Sequence, residues 1–259
     1  MGAASVAADQ PVRRSAGANR SPGEPNVDLP VTVALAGRSS LRATSGQEAT
    51  IPTDASWAYA QTYVPEDDVL GSARQRADEV GCTPVDPGTG AALQLLAALV
   101  GAKAVVEVGT GTGVSGLWLL RGMRPEGVLT TVERETEHSR LARETFVAAG
   151  IAPQRTRLIT GRALEVLPRL ADASYDLAFF DGAKDEYPAG LVEAHRLLRG
   201  GGVVAFDDAL WHDKVADPAQ RDPATVAMRS LVSDLRDDER WLPLLLPVGT
   251  GLLIAQKRA

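Results

Sequence analysis

The segment from Val105 to Ser115 constrains the fold more than any other part of the chain, because it joins an apolar strand to a helix through a glycine-rich turn. It reads Val-Val-Glu-Val-Gly-Thr-Gly-Thr-Gly-Val-Ser, so Glu107 lies near the end of the predicted strand and three glycines follow it. Glycine adopts backbone conformations that other residues avoid and therefore permits a tight turn. A buried strand that turns directly into a helix predicts an α/β fold.

The segments around this turn alternate between strand and helix patterns. The predicted strands lie at 104–108, 128–133, 156–160, 175–180 and 202–206, with 241–246 and 250–256 as an antiparallel pair at one edge. The predicted helices lie at 66–80, 88–100, 114–121, 136–149, 163–170, 188–198 and 223–238. This order indicates an α/β, doubly wound, mostly parallel seven-stranded sheet with helices on both faces.

Leucines and glycines give two further expectations about the helices. The spacing of Leu93, Leu95, Leu96 and Leu99 predicts that the second helix is largely buried. Gly150 and the glycines at 200–202 are interpreted as helix stops.

Residues 1–55 are expected to form a disordered tail, and residues 56–259 a single domain. No aromatic residue precedes Trp57, and prolines are scattered among Gly, Ser, Ala and Arg, so this part lacks the side chains for a core. The rest of a 259-residue chain with 44% hydrophobic residues can bury one sizeable core.

Composition also excludes some function classes. A net charge of −6 argues against a nucleic-acid-binding protein, which needs a basic surface. The single cysteine, Cys82, excludes an internal disulfide framework and suits a reducing compartment. The apolar stretch from Val31 to Gly37 is too short to span a membrane. We therefore expect a soluble, cytoplasmic protein with no nucleic-acid or membrane partner.

Glu107 bears on the ligand class of the glycine turn. The segment from Gly111 to Gly116 matches the dinucleotide pattern, but the glycine that directly follows the strand is Gly109, and counting from it puts Val114 in the third glycine position. A carboxylate at the strand end would repel the phosphate of a nucleotide. A ligand with an ammonium group and no phosphate, such as S-adenosylmethionine, can bind beside this carboxylate. A nicotinamide-dependent oxidoreductase is therefore the weaker alternative.

A second acid follows at the end of the next strand. Glu133 closes the segment at 128–133, about twenty residues after the glycine turn, where an α/β nucleoside site places the acceptor for the ribose hydroxyls. The alternative is an ordinary acid that begins the next helix, because acids favour a first turn.

Three aspartates end two later strands. Asp181 follows the strand at 175–180, and Asp207 and Asp208 follow the strand at 202–206. Parallel topology brings these ends to one rim, where a hard divalent cation would relieve the repulsion between carboxylates; Mg²⁺ suits an all-oxygen site, with Mn²⁺ or Ca²⁺ as alternatives. Each aspartate taken alone is more often a turn former or a helix cap.

Lys184 lies three residues after Asp181. A nearby dication and partial burial would both disfavour its ammonium form, which would let the amine accept a proton at neutral pH. The alternative is a solvated loop lysine paired with Asp185 or Glu186.

The motifs together resemble the cation-dependent class I O-methyltransferases, the family of catechol and caffeoyl-CoA methyltransferases, and especially its small bacterial members. The resemblance covers about Trp57 to Gln256. It rests on the turn after Glu107, on Thr131-Val132-Glu133, on the segment from Asp181 to Tyr187, and on Phe206-Asp207-Asp208.

The resemblance implies a Rossmann-like methyltransferase fold and a role for each matching position. The implied contacts to S-adenosylmethionine are Val85, Glu107, Gly109, Thr110, Ser115, Glu133, Ala163 and Asp181. The metal ligands of the family match Asp181, Asp207 and Asp208. Its catalytic residues match Lys184 and Asp181. The family commonly has Asn in place of Asp208.

These expectations combine into one functional hypothesis. The protein would transfer the sulfonium methyl group, with Mg²⁺, to a hydroxyl of a catechol-like or other small phenolic acceptor, and the resemblance implies a homodimer. The alternative from another class is a non-catalytic protein that binds S-adenosylmethionine and whose acid cluster is only structural.

Overall fold

The computed structural model describes residues 41–42, 48–49 and 53–259. Most of the tail predicted at residues 1–55 lies outside these ranges, so its disorder stays a prediction. Two short strands, β1 (Leu41–Arg42) and β2 (Glu48–Ala49), form an antiparallel pair within it. The chain divides into two compact units, Met1–Ile51 and Pro52–Ala259, and everything below concerns the second.

The elements of the second unit follow the predicted order. Its helices are α1 (Asp54–Gln61), α2 (Asp68–Glu79), α3 (Pro87–Leu99), α4 (Val114–Gly122), α5 (Thr136–Ala148), α6 (Ala163–Val166), α7 (Tyr187–Leu197) and α8 (Pro223–Asp237). Its strands are β3 (Ala104–Val108), β4 (Val128–Glu133), β5 (Thr156–Thr160), β6 (Tyr175–Phe180), β7 (Leu198–Phe206), β8 (Trp241–Leu246) and β9 (Leu252–Lys257). Helix α1 has no counterpart among the predicted helices, and it begins inside the predicted tail.

The strands form a seven-stranded sheet in the order β5-β4-β3-β6-β7-β9-β8. Strands β3 to β7 are parallel, while β9 pairs antiparallel with both β7 and β8, which confirms the predicted fold and its edge pair. The chain moves from β3 outward to β5 and then returns to the other side of β3 as β6. A crevice therefore opens at the carboxyl ends of β3 and β6, where sheets of this kind bind ligands.

Alternating strand residues bury both faces of the sheet. Val105, Leu177 and Val203 belong to one apolar cluster with α2 to α5, whereas Val106 and Ala178 belong to a second cluster with α7 and α8. Successive side chains of a strand point to opposite faces, so this division explains why the strands read as nearly continuous apolar runs.

Two expectations about the helices are corrected by the structure. Leu93 of α3 is buried, but Leu95 and Leu99 are 60% and 73% exposed, so the helix is not largely buried. Gly150 does follow the end of α5, with φ of +70°. The glycines at 200–202, however, lie inside β7.

The glycine run makes an irregularity in β7 instead of a helix stop. Leu198 pairs with Tyr175, and the next pair is Val203 with Leu177, so β7 carries extra residues that the register does not match. Gly201 takes up the left-handed conformation there, with φ of +77°, which costs glycine little.

Over the part of the chain that the structure describes, no helix combines the length and the apolar character needed to cross a bilayer.

Candidate active site

The first cavity, of about 460 Å³, opens at the carboxyl ends of β3 and β4. It brings together most of the residues that the resemblance assigns to the methyl donor: Val85, Gly109, Thr110, Ser115, Glu133, Ala163 and Asp181. Sequence reasoning did not assign Cys82, Arg134, His138 and Arg162, which also line it. They lie in loops or at helix starts, where no regular spacing of apolar residues shows which side chains face a cavity.

Gly109 allows the two central strand ends to approach closely. Its φ is +91°, and a Cβ at this position would lie 2.0 Å from the carbonyl oxygen of Asp181. A larger residue would therefore push β6 away from the turn. The glycine thus fixes Asp181 beside the floor of the first cavity.

Glu133 faces the first cavity with its carboxylate anchored by the backbone. Its Oε2 accepts the N–H of Gly111 at 2.9 Å, and its Oε1 accepts the N–H of Glu135 at 3.0 Å. The side chain is 8% exposed, and Nδ1 of His138 lies 3.8 Å from Oε1. A carboxylate held in this way presents its remaining lone pairs in a fixed orientation to a hydroxyl donor.

Glu107 does not line the cavity, because it is fully buried beneath the glycine turn. Its Oε1 accepts the hydroxyl of Ser115 at 2.7 Å, and its Oε2 accepts the hydroxyl of Thr131 at 2.6 Å. Burial raises its pKa to about 7, against the opposing effect of the two hydroxyl hydrogen bonds. Glu107 therefore supports the turn from below, and its contact to the methyl donor stays a prediction.

Asp181, Asp207 and Asp208 converge as the sequence predicts. Each offers one carboxylate oxygen, and the three oxygens lie within 4.8 Å of one another. Asp207 is 4% exposed, and its Oδ1 is buried without a hydrogen-bond partner. Burial, followed by the charges of the other two carboxylates, raises the pKa of Asp207 well above its usual value.

Lys184 lies against this cluster with its Nζ fully engaged. It is 2.6 Å from Oδ2 of Asp208, 3.2 Å from Oδ1 of Asp181 and 2.7 Å from the hydroxyl of Tyr187. Burial acts to lower the lysine pKa, but Tyr187 and the two carboxylates outweigh it, so the pKa is raised. Without a cation at the aspartates the ammonium form is thus favoured, and the neutral amine expected beside a bound dication stays a prediction.

Tyr187 is a residue that sequence reasoning quoted but gave no role. Its ring is buried against Phe180 and Phe206, the last residues of β6 and β7. Its hydroxyl accepts a hydrogen bond from Lys184 and donates one to the carbonyl of Phe180 at 3.0 Å. The sequence signal for this contact was the position of Tyr187 three residues after Lys184 at a helix start, because side chains three residues apart lie on the same side of a helix.

A second cavity, of about 680 Å³, is lined by Asp208 of the aspartate cluster and by Lys184. Thr83, Gly182 and Ala183 line both cavities, so the two meet beside Asp181. One wall of the second cavity is the loop after β7, in which Asp208 and the residues 211–213 all have positive φ. Non-glycine residues rarely adopt this conformation, and residues that do are found in turns and also cluster at active sites.

Comparisons with known proteins agree with this geometry. The sequence model of the O-methyltransferase family matches residues 72–258. A Mycobacterium tuberculosis protein named as an O-methyltransferase is 51% identical over 210 residues, which cover 81% of this chain and 94% of that protein.

Two solved structures are similar along most of their length. The O-methyltransferase TomG from Streptomyces achromogenes, solved with SAM, has a TM-score of 0.71 and 30% identity, covering 78% of this chain and 95% of its own. An O-methyltransferase from Bacillus cereus, solved with SAH, has a TM-score of 0.71 and 27% identity, covering 78% of this chain and 96% of its own.

Proposed function

Because the chain belongs to the O-methyltransferase family, we propose that this enzyme transfers a methyl group from S-adenosylmethionine to one hydroxyl of a small catechol-like phenol, with a divalent cation. One observation supports both the cation and the acceptor class in this proposal. Oδ1 of Asp207 is buried without a hydrogen-bond partner, and Asp207 offers a carboxylate oxygen within 4.8 Å of Asp181 and Asp208, which line the first and the second cavity. An orphaned buried oxygen is costly, and a bound cation would satisfy it.

The donor set fits a hard cation. Three aspartates supply only oxygen, which suits Mg²⁺ first and Mn²⁺ or Ca²⁺ as alternatives. Histidines and cysteine are absent from the cluster, as a magnesium site requires. Asp181, Asp207 and Asp208 would hold the ion, and the second cavity beside Asp208 would leave room for the two adjacent oxygens of a catechol.

The first cavity supports the choice of donor. It has the volume of a small-ligand site, and Glu133 lies on its wall where a ribose would need an acceptor. Gly109, Thr110 and Ser115 provide the close backbone approach, with Val85 and Ala163 on the flanking walls. The SAM and SAH bound to the two similar structures support the same assignment.

The reaction needs alignment more than covalent help from the protein. The bond between sulfur and the methyl carbon breaks as the bond between that carbon and the acceptor oxygen forms, and the hydroxyl proton leaves. The cation, when bound, would lower the pKa of the acceptor hydroxyl. The shared wall of Thr83, Gly182 and Ala183 would set the two reactants in line.

Lys184 would act on the acceptor oxygen. Its ammonium group is held beside Asp181 and Asp208, and its positive charge would stabilise the negative charge that develops on that oxygen. The hydroxyl proton would leave to water in the second cavity, which Lys184 lines. Tyr187 would hold the amine in this place through its hydroxyl.

The test is a methyl-transfer assay with labelled S-adenosylmethionine and 4-methylcatechol, with and without EDTA. We expect turnover that EDTA abolishes and Mg²⁺ restores. Asp207→Asn should lose this turnover but keep its affinity for S-adenosylhomocysteine, because Asp207 does not line the first cavity. Asp234→Asn, a change of the same kind at an exposed position on α8, serves as the matched control.

The other outcomes decide between the alternatives. Turnover that EDTA leaves intact would remove the cation from the mechanism. Binding of S-adenosylhomocysteine without turnover on any vicinal diphenol would support a non-catalytic protein. Binding of NAD(H) with no binding of S-adenosylhomocysteine would support an oxidoreductase.

We also propose the homodimer that the resemblance implies. The edge strand β8 leaves Leu242 and Leu244 more than half exposed, and such apolar side chains are usual at subunit interfaces. Light scattering on the purified protein decides the point, and a monomeric mass at micromolar concentration would refute it.

A further inference from the structure

The wall of the second cavity carries more negative charge than the proposed reaction needs. The three clustered aspartates would be balanced by one divalent cation together with Lys184. Two further carboxylates, Asp185 and Asp222, line the same cavity and have no part in that balance. Lys184 is the one lysine or arginine among the lining residues that the structure describes, and it is already committed to Asp208 and Asp181.

Asp185 is the less compensated of the two acids. It is exposed, and none of the ion pairs found among residues 53–259 includes it. Because it follows Lys184 directly, it lies next to the reacting end of the cavity. An acceptor whose substituent points along this wall would meet a carboxylate that has no ion-pair partner in the described part of the chain.

Asp222 is the N-cap of α8. Its carboxylate accepts the N–H of Thr225 at 3.1 Å and the hydroxyl of Thr225 at 2.7 Å, and these bonds lower its pKa. The positive end of the helix and the nearby Lys214 offset part of its charge. Loss of the carboxylate charge alone would leave that helix end facing the cavity, which would favour anions.

Trp211 adds an aromatic surface to the same wall. Its ring centroid lies 5.8 Å from Nζ of Lys184, so the indole already faces one cation. The ring of His212 lies 5.4 Å away, and both residues are held at positive φ. The face of an indole attracts cations and gives no advantage to an anion.

We propose that this cavity selects its acceptor by charge. A catechol that carries an ammonium group or no charge on its side chain is accepted, and one that carries a carboxylate or a phosphate is disfavoured. Asp185 and Asp222 are the residues that discriminate. This inference rests on the proposed function, because the vicinal hydroxyls at the aspartates set the direction of the side chain.

The experiment compares three catechols of similar size: dopamine, 4-methylcatechol and 3,4-dihydroxyphenylacetate. The measured quantity is the ratio of kcat/KM for dopamine to that for 3,4-dihydroxyphenylacetate at low salt. Asp185, which has no ion-pair partner among the described residues, and Asp222, whose charge is partly offset, should together make this ratio on the order of tenfold. The ratio should fall toward one in concentrated salt.

Two variants and a control locate the effect. Asp185→Asn should lower the ratio several-fold, and Asp222→Asn should lower it as well while the amide keeps the cap of α8. Each ratio is taken within one variant, so a change in overall activity cancels. Glu239→Gln removes an exposed acid beside the start of β8, at the opposite rim of the sheet, and should leave the ratio at its original value.

The outcomes separate this inference from the proposed function. Methylation of 4-methylcatechol with a ratio near one, or a ratio that neither variant changes, overturns the charge selection and leaves the proposed function intact. If none of the three catechols is methylated in the presence of Mg²⁺, both the inference and the proposed function are overturned. A high ratio that falls in both variants but not in the control supports the inference.

Discussion

Substitution of Glu107 by Gln should change how the stability of the protein depends on pH. Glu107 is fully buried without a cationic partner, and its pKa rises from 4.5 to about 7 in the folded protein. At about 1.4 kcal/mol for each pH unit, ionisation of Glu107 costs the folded state about 3 kcal/mol more than the unfolded chain.

The direction follows from proton binding. Between pH 4.5 and 7 the folded state holds the proton of Glu107 more tightly than the unfolded chain does. The free energy of unfolding therefore falls as pH rises through this window, and the loss is complete above the folded pKa. Glutamine has no proton to lose, so Glu107→Gln removes this part of the pH dependence.

The assay is urea denaturation of wild type and variant at several values between pH 5 and pH 8. Relative to wild type, Glu107→Gln should gain about 2 to 3 kcal/mol of unfolding free energy over this range. Its amide must find an acceptor in the hydroxyl of Ser115 or Thr131, which sets a constant offset at every pH. The difference between two proteins cancels the contribution of the other buried acids.

Ser115→Ala provides a control in the opposite direction. It removes a hydrogen bond that lowers the pKa of Glu107, so the loss of stability should extend to higher pH than in wild type. Parallel stability curves for wild type and Glu107→Gln from pH 5 to pH 8 would refute the burial of an unpaired carboxyl beneath the turn.

Two further substitutions test the site. Tyr187→Phe keeps the ring against Phe180 but removes the hydrogen bond that Lys184 donates to the hydroxyl. The kcat should fall about tenfold to a hundredfold, while the KM for S-adenosylmethionine stays unchanged. An unchanged kcat would contradict the role of the hydroxyl. Glu133→Gln should weaken the binding of S-adenosylhomocysteine about tenfold in calorimetry while Mn²⁺ binding stays as in wild type, and equal affinity would exclude Glu133 as the ribose ligand.

The centre of the sheet could be predicted from the sequence because strands β3, β4 and β6 are buried on both faces. The observed strands begin and end within two residues of the predicted positions, except that β7 begins four residues earlier because the glycine run belongs to it. Helix α1 escaped prediction because it has no buried residue and thus no apolar stripe. The exposure of Leu95 and Leu99 on α3 also escaped, since an apolar residue on a helix does not reveal whether a neighbour covers it.

The candidate site divides in the same way. Parallel topology was enough to bring Asp181 to Asp207, because their strands pair directly up to Phe180 and Phe206. The charge state of Lys184 depends on distances of about 3 Å, which no spacing in the sequence contains. The order of elements thus predicts which residues meet, but not the protonation that results from their contact.

The burial of Glu107 changes the physical reason for a cationic donor. Val105 and Glu107 are two residues apart on β3, so both side chains point to the same face of the sheet, and Val105 belongs to a core cluster. Strand alternation alone could therefore have placed Glu107 beneath the turn. The negative charge that reaches the first cavity comes from the carboxylates on its wall, which are Glu133, Glu135, Asp181 and Glu186. We therefore expect a preference for a sulfonium donor to depend on these carboxylates, while Glu107 supports the turn from below.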